Sequence, residues 1–568
     1  MPKFNKPGAA RKGAVDRIVN HPQATTNLEG GLAFEMAAKT RLYMRVCTSM
    51  VSEAKFYKTG EEHDNELLDD LRAVAAQDPQ WIFKLAAYAR NEMYLRSVST
   101  MILAEAAGIP QCRPFVVVWA PGILKRADEL QEVLAYRLNK YGKPIPMCLR
   151  RGIAAAVHNF DEYQLAKYDM ARKGDAVTMQ DVLRLCHPKP RNAAESALFR
   201  YLVRREDTDY ALLPKIDAQL KFNQLNADTD WDRAKELIEA GHVSWEVAVS
   251  KFGNKKIVWD ALDLPFMAGL RNLRNLIQSG ADLTPVLDQL KNREAVKRSK
   301  QLPFRFYSAA AALEGGPSKR FHSRCRGGSR EEKPMDPFMV RAVKRELEKA
   351  LEFSVDNIPK LPGRTCVLVD ISGSMTSKVA GKSAVACMDI AALFGAACGR
   401  AMDALVCAFT TSFVFVDVTD LPILKGMEAI KASAAPESTY AHLPILQLTQ
   451  DRTKVDRIIL LSDMQCYSDR DPAEYGYSSA EAREFGTAFA AYKACINPGV
   501  KLISVDLTGY GTAVVLENEP NVALLAGWSD RVFDFIELFE RGATDAGALI
   551  ANYVPRQRTA REEGAVSE

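Results

Sequence analysis

Apolar side chains recur every three or four positions through most of residues 27–313, whereas beyond residue 364 they gather into short unbroken runs. The first pattern predicts helices in NELLDDLRAVAAQ (65–77) and WIFKLAAYARNEM (81–93). Asp78 and Pro79 between them supply a cap and a residue suited to a first helical turn. Further helices are predicted in QEVLAYRLNK (131–140), EYQLAKYDMARKG (162–174) and WDRAKELIEAG (231–241). No strict period links them, so the expected architecture is an irregular array of helix pairs, a HEAT-like α-solenoid. GGPSKRFHSRCRGGSREEKP (315–334) interrupts the array as a basic, Gly-rich loop, with no acid before Glu331. One more helix, PFMVRAVKRELEKALEFS (337–354), leads to a boundary at PKLPG (359–363).

From Arg364 the runs TCVLVD (365–370), ALVCAF (404–409), RIILLSD (457–463) and KLISVDL (501–507) predict strands. Helical stretches such as 383–402 and 478–494 alternate with them. Uniformly apolar strands separated by helices predict an α/β doubly wound parallel sheet with both faces covered. The organisation read from the chain is a basic tail (1–26), a helical part (27–363), an α/β domain (364–550) and a second tail (551–568).

Charge sharpens this division. The net charge is only +4, but residues 364–550 hold 15 Lys/Arg against 23 Asp/Glu, and residues 1–363 hold 57 against 45. A basic first part joined to an acidic last part points to a polyanion partner for the first. The 11 Cys and seven His are scattered with no CxxC pair, which argues against a disulfide framework or a Cys/His zinc site and for reduced thiols in a cytoplasmic protein. No secretory signal is recognisable at the N-terminus, and no apolar run is long enough to span a bilayer, so no membrane is expected.

The sharpest chemical signal is Asp370-Ile371-Ser372-Gly373-Ser374, just past the first predicted strand. Alternate positions set three oxygen-bearing side chains on one side of a loop at the carboxyl edge of a parallel sheet, where such folds bind ligands. One carboxylate with hydroxyls and water suits a hard octahedral cation, Mg²⁺ above all. A Ser/Gly turn with an Asp helix cap would read the same way. Asp463 ends a later strand at the same edge, and Thr439 lies in the loop PESTY. Ala380-Gly381-Lys382-Ser383 imitates the end of a phosphate-binding loop, but Thr376 stands where that motif needs Gly, so no nucleotide is expected. His442 and Cys466 lie in no activating motif, Asp469 and Asp471 read as solvated loop charges, and no enzymatic site emerges.

Asp370, Ser372, Ser374, Thr439 and Asp463 together resemble the metal-ion-dependent adhesion site of a von Willebrand factor A domain, over residues 364–550. The resemblance implies a bound cation with an open position for a partner's carboxylate. A helical array followed by such a domain resembles the Ro ribonucleoprotein family and its helical TROVE module. LRRGIAAAVHNF (149–160), LAKYDMARKG (165–174), DVLRLCHPKP (181–190), GLRNLRNL (269–276), LPF (302–304) and the pair Gly30-Gly31 before RLYMRVCTSM (41–50) carry that likeness. The chain departs from the pattern at Glu437-Ser438-Thr439-Tyr440, where the family has GGTD, and at Lys167-Tyr168-Asp169, where it has KYK.

The resemblance implies a helical ring that threads single-stranded RNA ends and holds structured RNA outside. Arg150, Arg151, Lys167, Arg172, Lys173 and His187 are the implied RNA contacts, each of which could instead be a solvated helix position. Lys319, Arg320, Arg324 and Arg326 in the Gly-rich loop suit phosphate backbones as a group. The reading is an RNA-binding scaffold for small noncoding, Y-like RNAs and misfolded RNA ends, working in RNA quality control with an exoribonuclease or another protein partner. The competing reading is a metal-dependent protein-interaction scaffold; a metal-dependent nuclease needs more clustered carboxylates than this site offers.

Overall fold

A computed structural model of the protein describes residues 21–28, 30–48, 60–169, 176–204, 208–239, 243–314, 335–378, 385–466, 484–517, 519–527, 532–540 and 546–554. They fall into two compact units, one drawn from 1–74, 292–311 and 347–552, the other from 75–291, 312–346 and 553–568. The described strands are β1 (Ala24–Thr26), β2 (Leu32–Glu35), β3 (Thr365–Asp370), β4 (Leu405–Phe409), β5 (Phe413–Val416), β6 (Arg457–Ser462), β7 (Lys501–Asp506), β8 (Thr512–Ala513) and β9 (Val522–Ala526).

In the first unit, six strands run in the order β5-β4-β3-β6-β7-β9. All neighbours are parallel except β4 and β5. The chain enters at β3, moves to β4, then returns across β3 to β6. That reversal creates a switch point where neighbouring loops leave the carboxyl edge in opposite directions. Every residue of β3 and β6 is buried, as expected of strands covered on both faces. The buried Arg457 that opens β6 is held by three bonds: its guanidinium donates to the Thr365 hydroxyl at 2.6 Å, Glu540 at 2.7 Å and the Pro362 carbonyl at 3.0 Å. This network ties down the amino ends of the strands and leaves the carboxyl ends for chemistry.

Two features differ from the sequence expectation. The edge strand β5 is antiparallel, because the tight turn at Thr410–Ser412 folds FVFV straight back on β4. Residues 24–35, expected to be the end of the basic tail and the start of the helical part, form the β1–β2 hairpin, and β2 pairs with β8. Strands of three and four residues are too short to show a period, and their partner lies at the other end of the chain.

The second unit is built of successive helices, as expected. Asp78 caps the helix Pro79–Asn91 by accepting from the Trp81 N–H at 3.2 Å, with Pro79 in the first turn. The wholly buried Glu129 accepts from Arg90 at 2.8 Å, Arg96 at 3.2 Å, and the backbone N–H groups of Lys125 and Arg126. Four donors satisfy this carboxylate away from water and join its helices. The helix foreseen across 162–174 stops at Lys167. There the Tyr168 hydroxyl accepts from Arg126 and its carbonyl accepts from Gln131. Among the described residues no single helix is long and apolar enough to cross a membrane.

Candidate functional site

Asp370, Ser372, Ser374, Thr439 and Asp463 are all buried at the carboxyl edge of the large sheet, none more than 6% exposed. The Ser372 N–H donates to Asp370 Oδ1 at 2.9 Å, which curls the loop after β3 back on its own carboxylate. The Ser372 and Ser374 hydroxyls then lie 3.3 Å apart, with Ser374 opening a single 3₁₀ turn. The loop bearing Thr439 is pinned from both sides. The Gly373 N–H donates to the Glu437 carbonyl at 3.0 Å, and the Tyr440 N–H to the Thr410 carbonyl at 2.9 Å.

Burial, with the Asp463 carboxylate close by, pushes the Asp370 carboxyl well above the ordinary range, against hydrogen bonds from Ser462 and Ser372. Two buried acids repelling one another are costly without a cation. The buried Thr410 hydroxyl, at the same edge, has no hydrogen-bond partner among the described residues. Hydroxyls, two carboxylates and no thiolate or imidazole donor make a set that fits a hard divalent ion such as Mg²⁺.

Sequence reasoning missed three contributors. The Ser462 hydroxyl donates to Asp370 Oδ2 at 2.6 Å and accepts from the Met464 N–H at 3.0 Å. Asp506, wholly buried at the end of β7, accepts from the Thr508 and Gly509 N–H groups. Thr410 is the third. Their signal was positional: 370, 463 and 506 all place Asp where an apolar run ends, and 410 closes a fourth such run. The imagined His442–Cys466 pair is not activated. Burial lowers His442 to about 4. Burial and the acids Asp370 and Asp463 push the Cys466 thiol up.

The basic residues are more dispersed. Arg150 is half-buried, and its Nε donates to the Leu185 carbonyl at 2.6 Å, closing the end of the helix Met179–Cys186. His187 follows in a left-handed conformation (φ 52°) with its side chain exposed. Arg151, Arg184 and Lys189 are exposed too. The Arg150 bond thus brings 150–151 to the 184–189 helix end; Arg184 and Lys189 were not foreseen. Lys167 is engaged elsewhere. Its ammonium donates to Glu246 at 3.0 Å, and although burial opposes the charge, Glu246 and Tyr163 hold its pKa above the ordinary value. Arg172, Lys173, Lys319, Arg320, Arg324 and Arg326 lie outside the described residues, as do Asp469 and Asp471.

Comparison with known proteins fits this two-part layout. Residues 35–239 and 210–356 match the TROVE domain, and 364–540 match the Ro60 vWA domain. The chain is 24% identical to the RNA-binding protein RO60 of Deinococcus radiodurans across 78% of this chain and 83% of that one. It is also 25% identical to telomerase protein component 1 of Mus musculus and 26% to that of Rattus norvegicus, over 74% and 52% of this chain. It spans only 21% and 13% of those two relatives. The crystal structure of the Deinococcus radiodurans Ro protein superposes with a TM-score of 0.63 at 22% identity, covering 89% of this chain and all of that one, and so shares its fold. With the family models matching well over half its length, the chain belongs to the TROVE-domain family and carries that family's Ro60-type von Willebrand factor A domain.

Proposed function

We propose that this protein is a Ro-type RNA-binding scaffold that holds small noncoding, Y-like RNAs and the single-stranded ends of misfolded RNAs for quality control in the cytoplasm. The observation that carries the reading is that Arg184, His187 and Lys189, at the end of the helix Met179–Cys186, are exposed within the TROVE match, as is Arg151, the neighbour of the Arg150 that bonds this helix end. Exposed cations on a rigid helical surface attract phosphates without reading bases, so such a face selects RNA by form and accessibility. Arg150 acts differently: it fixes the helix end on which these residues are displayed.

The A domain takes a second role. Asp370, Ser372, Ser374, Thr439 and Asp463 would hold Mg²⁺, which supplies an electrophilic centre able to accept a carboxylate from a protein partner such as an exoribonuclease. The chain's own part is to keep the oxygens converged in a buried edge and to leave RNA to the helical part. RNA crosslinking and sequencing on the tagged protein tests the reading. Enrichment of small structured RNAs and unpaired 3′ ends is expected, with crosslinks in 75–291. A crosslink pattern indistinguishable from that of total RNA, or confined to 364–540, would remove it.

A further inference from the structure

The loop after β6, Asp463–Cys466, presents one of the two acids at the sheet edge, and its conformation is strained: Met464 stands at φ 62°. A side chain with a Cβ rarely holds that backbone unless neighbours impose it. Part of the imposition is local. Met464 N–H donates to Ser462 Oγ at 3.0 Å, and Gln465 N–H to Asp463 Oδ1 at 3.1 Å. The remainder comes from the opposite end of the chain. Asn27 Nδ2 donates to the Cys466 carbonyl at 2.7 Å, and the Leu28 N–H donates to Gln465 Oε1 at 2.9 Å.

The turn that does this is itself closed. The Gly31 N–H donates to Asn27 Oδ1 at 2.9 Å, and the Asn27 N–H to the Gly31 carbonyl at 2.9 Å. One amide side chain therefore holds its own turn with its oxygen and the distant loop with its nitrogen. Gly31 makes the approach possible, because a Cβ there would stand 2.0 Å from the Cys466 carbonyl oxygen. The neighbouring acid-bearing loop is gripped too. β2 pairs with β8, and Gly509 (φ 71°) packs so tightly on Thr48 that a Cβ would meet its hydroxyl at 2.0 Å.

We propose that the Asn27–Gly31 turn is a positioning element of the metal site, with Asn27 and Gly31 holding the Asp463–Cys466 loop in the conformation that aims Asp463 at a divalent cation. This rests on the reading of Asp370, Ser372, Ser374, Thr439 and Asp463 as a Mg²⁺ site. A group that supports a ligand without touching the ion typically accounts for about 10–100-fold in metal affinity. Removing the amide in Asn27→Ala should therefore weaken Mg²⁺ binding roughly tenfold by titration calorimetry. Asn27→Asp, nearly the same shape, should weaken it at least as much, because a carboxylate oxygen then faces the Cys466 carbonyl. Asn27→Gln, which keeps the donor, should recover part of the loss.

The second measurement is hydrogen–deuterium exchange on the metal-free full-length protein. Protection at residues 462–466 should fall in Asn27→Ala while β3 and β7 keep theirs, a signature that general destabilisation would not produce. Gly31→Ala should act in the same direction and more strongly; if it does not fold, the three Asn27 variants carry the test. Wild-type Mg²⁺ affinity and unchanged exchange in Asn27→Ala would overturn the positioning role. Absence of Mg²⁺ binding by the wild-type protein would overturn the metal reading instead, and the exchange data would then show separately whether the turn holds the loop.

Discussion

The carboxyl edge of the A domain and the basic helix ends of the TROVE region deal with polar groups in opposite ways. At the sheet edge Asp370, Ser372, Ser374 and Asp463 are withdrawn from water, and the two carboxylates take hydrogen bonds from their own loops and from Ser462 at the end of β6. On the helices, Arg151 and His187 face solvent, whereas Arg150 and Lys167 are bound to a carbonyl and a carboxylate of the protein itself. A buried polar site has to be built completely, since each unmatched group costs free energy. A surface cation need not be built at all, and its charge is available only where no neighbour has taken it.

The strongest way to break this contrast is at the sheet edge. Asp370→Ala should abolish Mg²⁺ binding measured by calorimetry, a greater loss than the roughly 10–100-fold typical of supporting groups, with RNA affinity retained in filter binding. Asp463→Asn should likewise eliminate Mg²⁺ binding, yet raise the melting temperature of the metal-free protein by relieving the repulsion on Asp370. A lower metal-free melting temperature would mean that the two acids do not repel one another.

Next comes pH. His442 falls from an ordinary 6.5 to about 4 because burial disfavours its charge. Below 6.5 the unfolded chain takes up a proton that the folded chain refuses, so the stability present above 6.5 is lost progressively towards 4. At about 1.4 kcal/mol per unit the whole loss is on the order of 3 kcal/mol. Denaturant titrations of wild type and His442→Asn across this window should converge as the pH falls; parallel curves would show that His442 is not the group responsible.

Smaller effects are expected on the helices. Arg151→Ala with His187→Ala should weaken all RNAs by a similar factor and reduce the slope of log affinity against log salt by roughly 0.7 per single-strand phosphate contact removed. An unchanged slope would take both residues off the RNA face. Glu246→Gln should do the reverse on a smaller scale: releasing Lys167 should strengthen RNA binding about twofold at low salt, and no change would mean that Lys167 faces no RNA.

The same contrast governs what could be read from the sequence. β3, β6 and β7 were visible as TCVLVD, RIILLS and KLISVD because strands buried on both faces must be continuously apolar. The Asp370 motif was visible because its oxygens sit on adjacent alternate residues. Ser462 was not, since its role depends on β6 lying beside β3, a matter of register. Lys167 and Arg150 looked like free cations because their partners, Glu246 and Leu185, stand 79 and 35 positions away. β1 and β2 escaped notice for a related reason: ATT and LAFE make sense only opposite one another and β8.

That last pairing has a consequence for biosynthesis. Asn27 and Cys466 are 439 positions apart, a separation a ribosome covers in about 20–90 s at roughly 5–20 residues per second. Throughout that interval the β1–β2 hairpin has no third strand, and a two-stranded hairpin is at best marginally stable in water. Though made long before β8, these residues are therefore seated only after it, and the open edge of β2 waits exposed until β8 emerges. A nascent chain that stalls before residue 513 carries that unpaired edge into the cell, where another strand can bind it first.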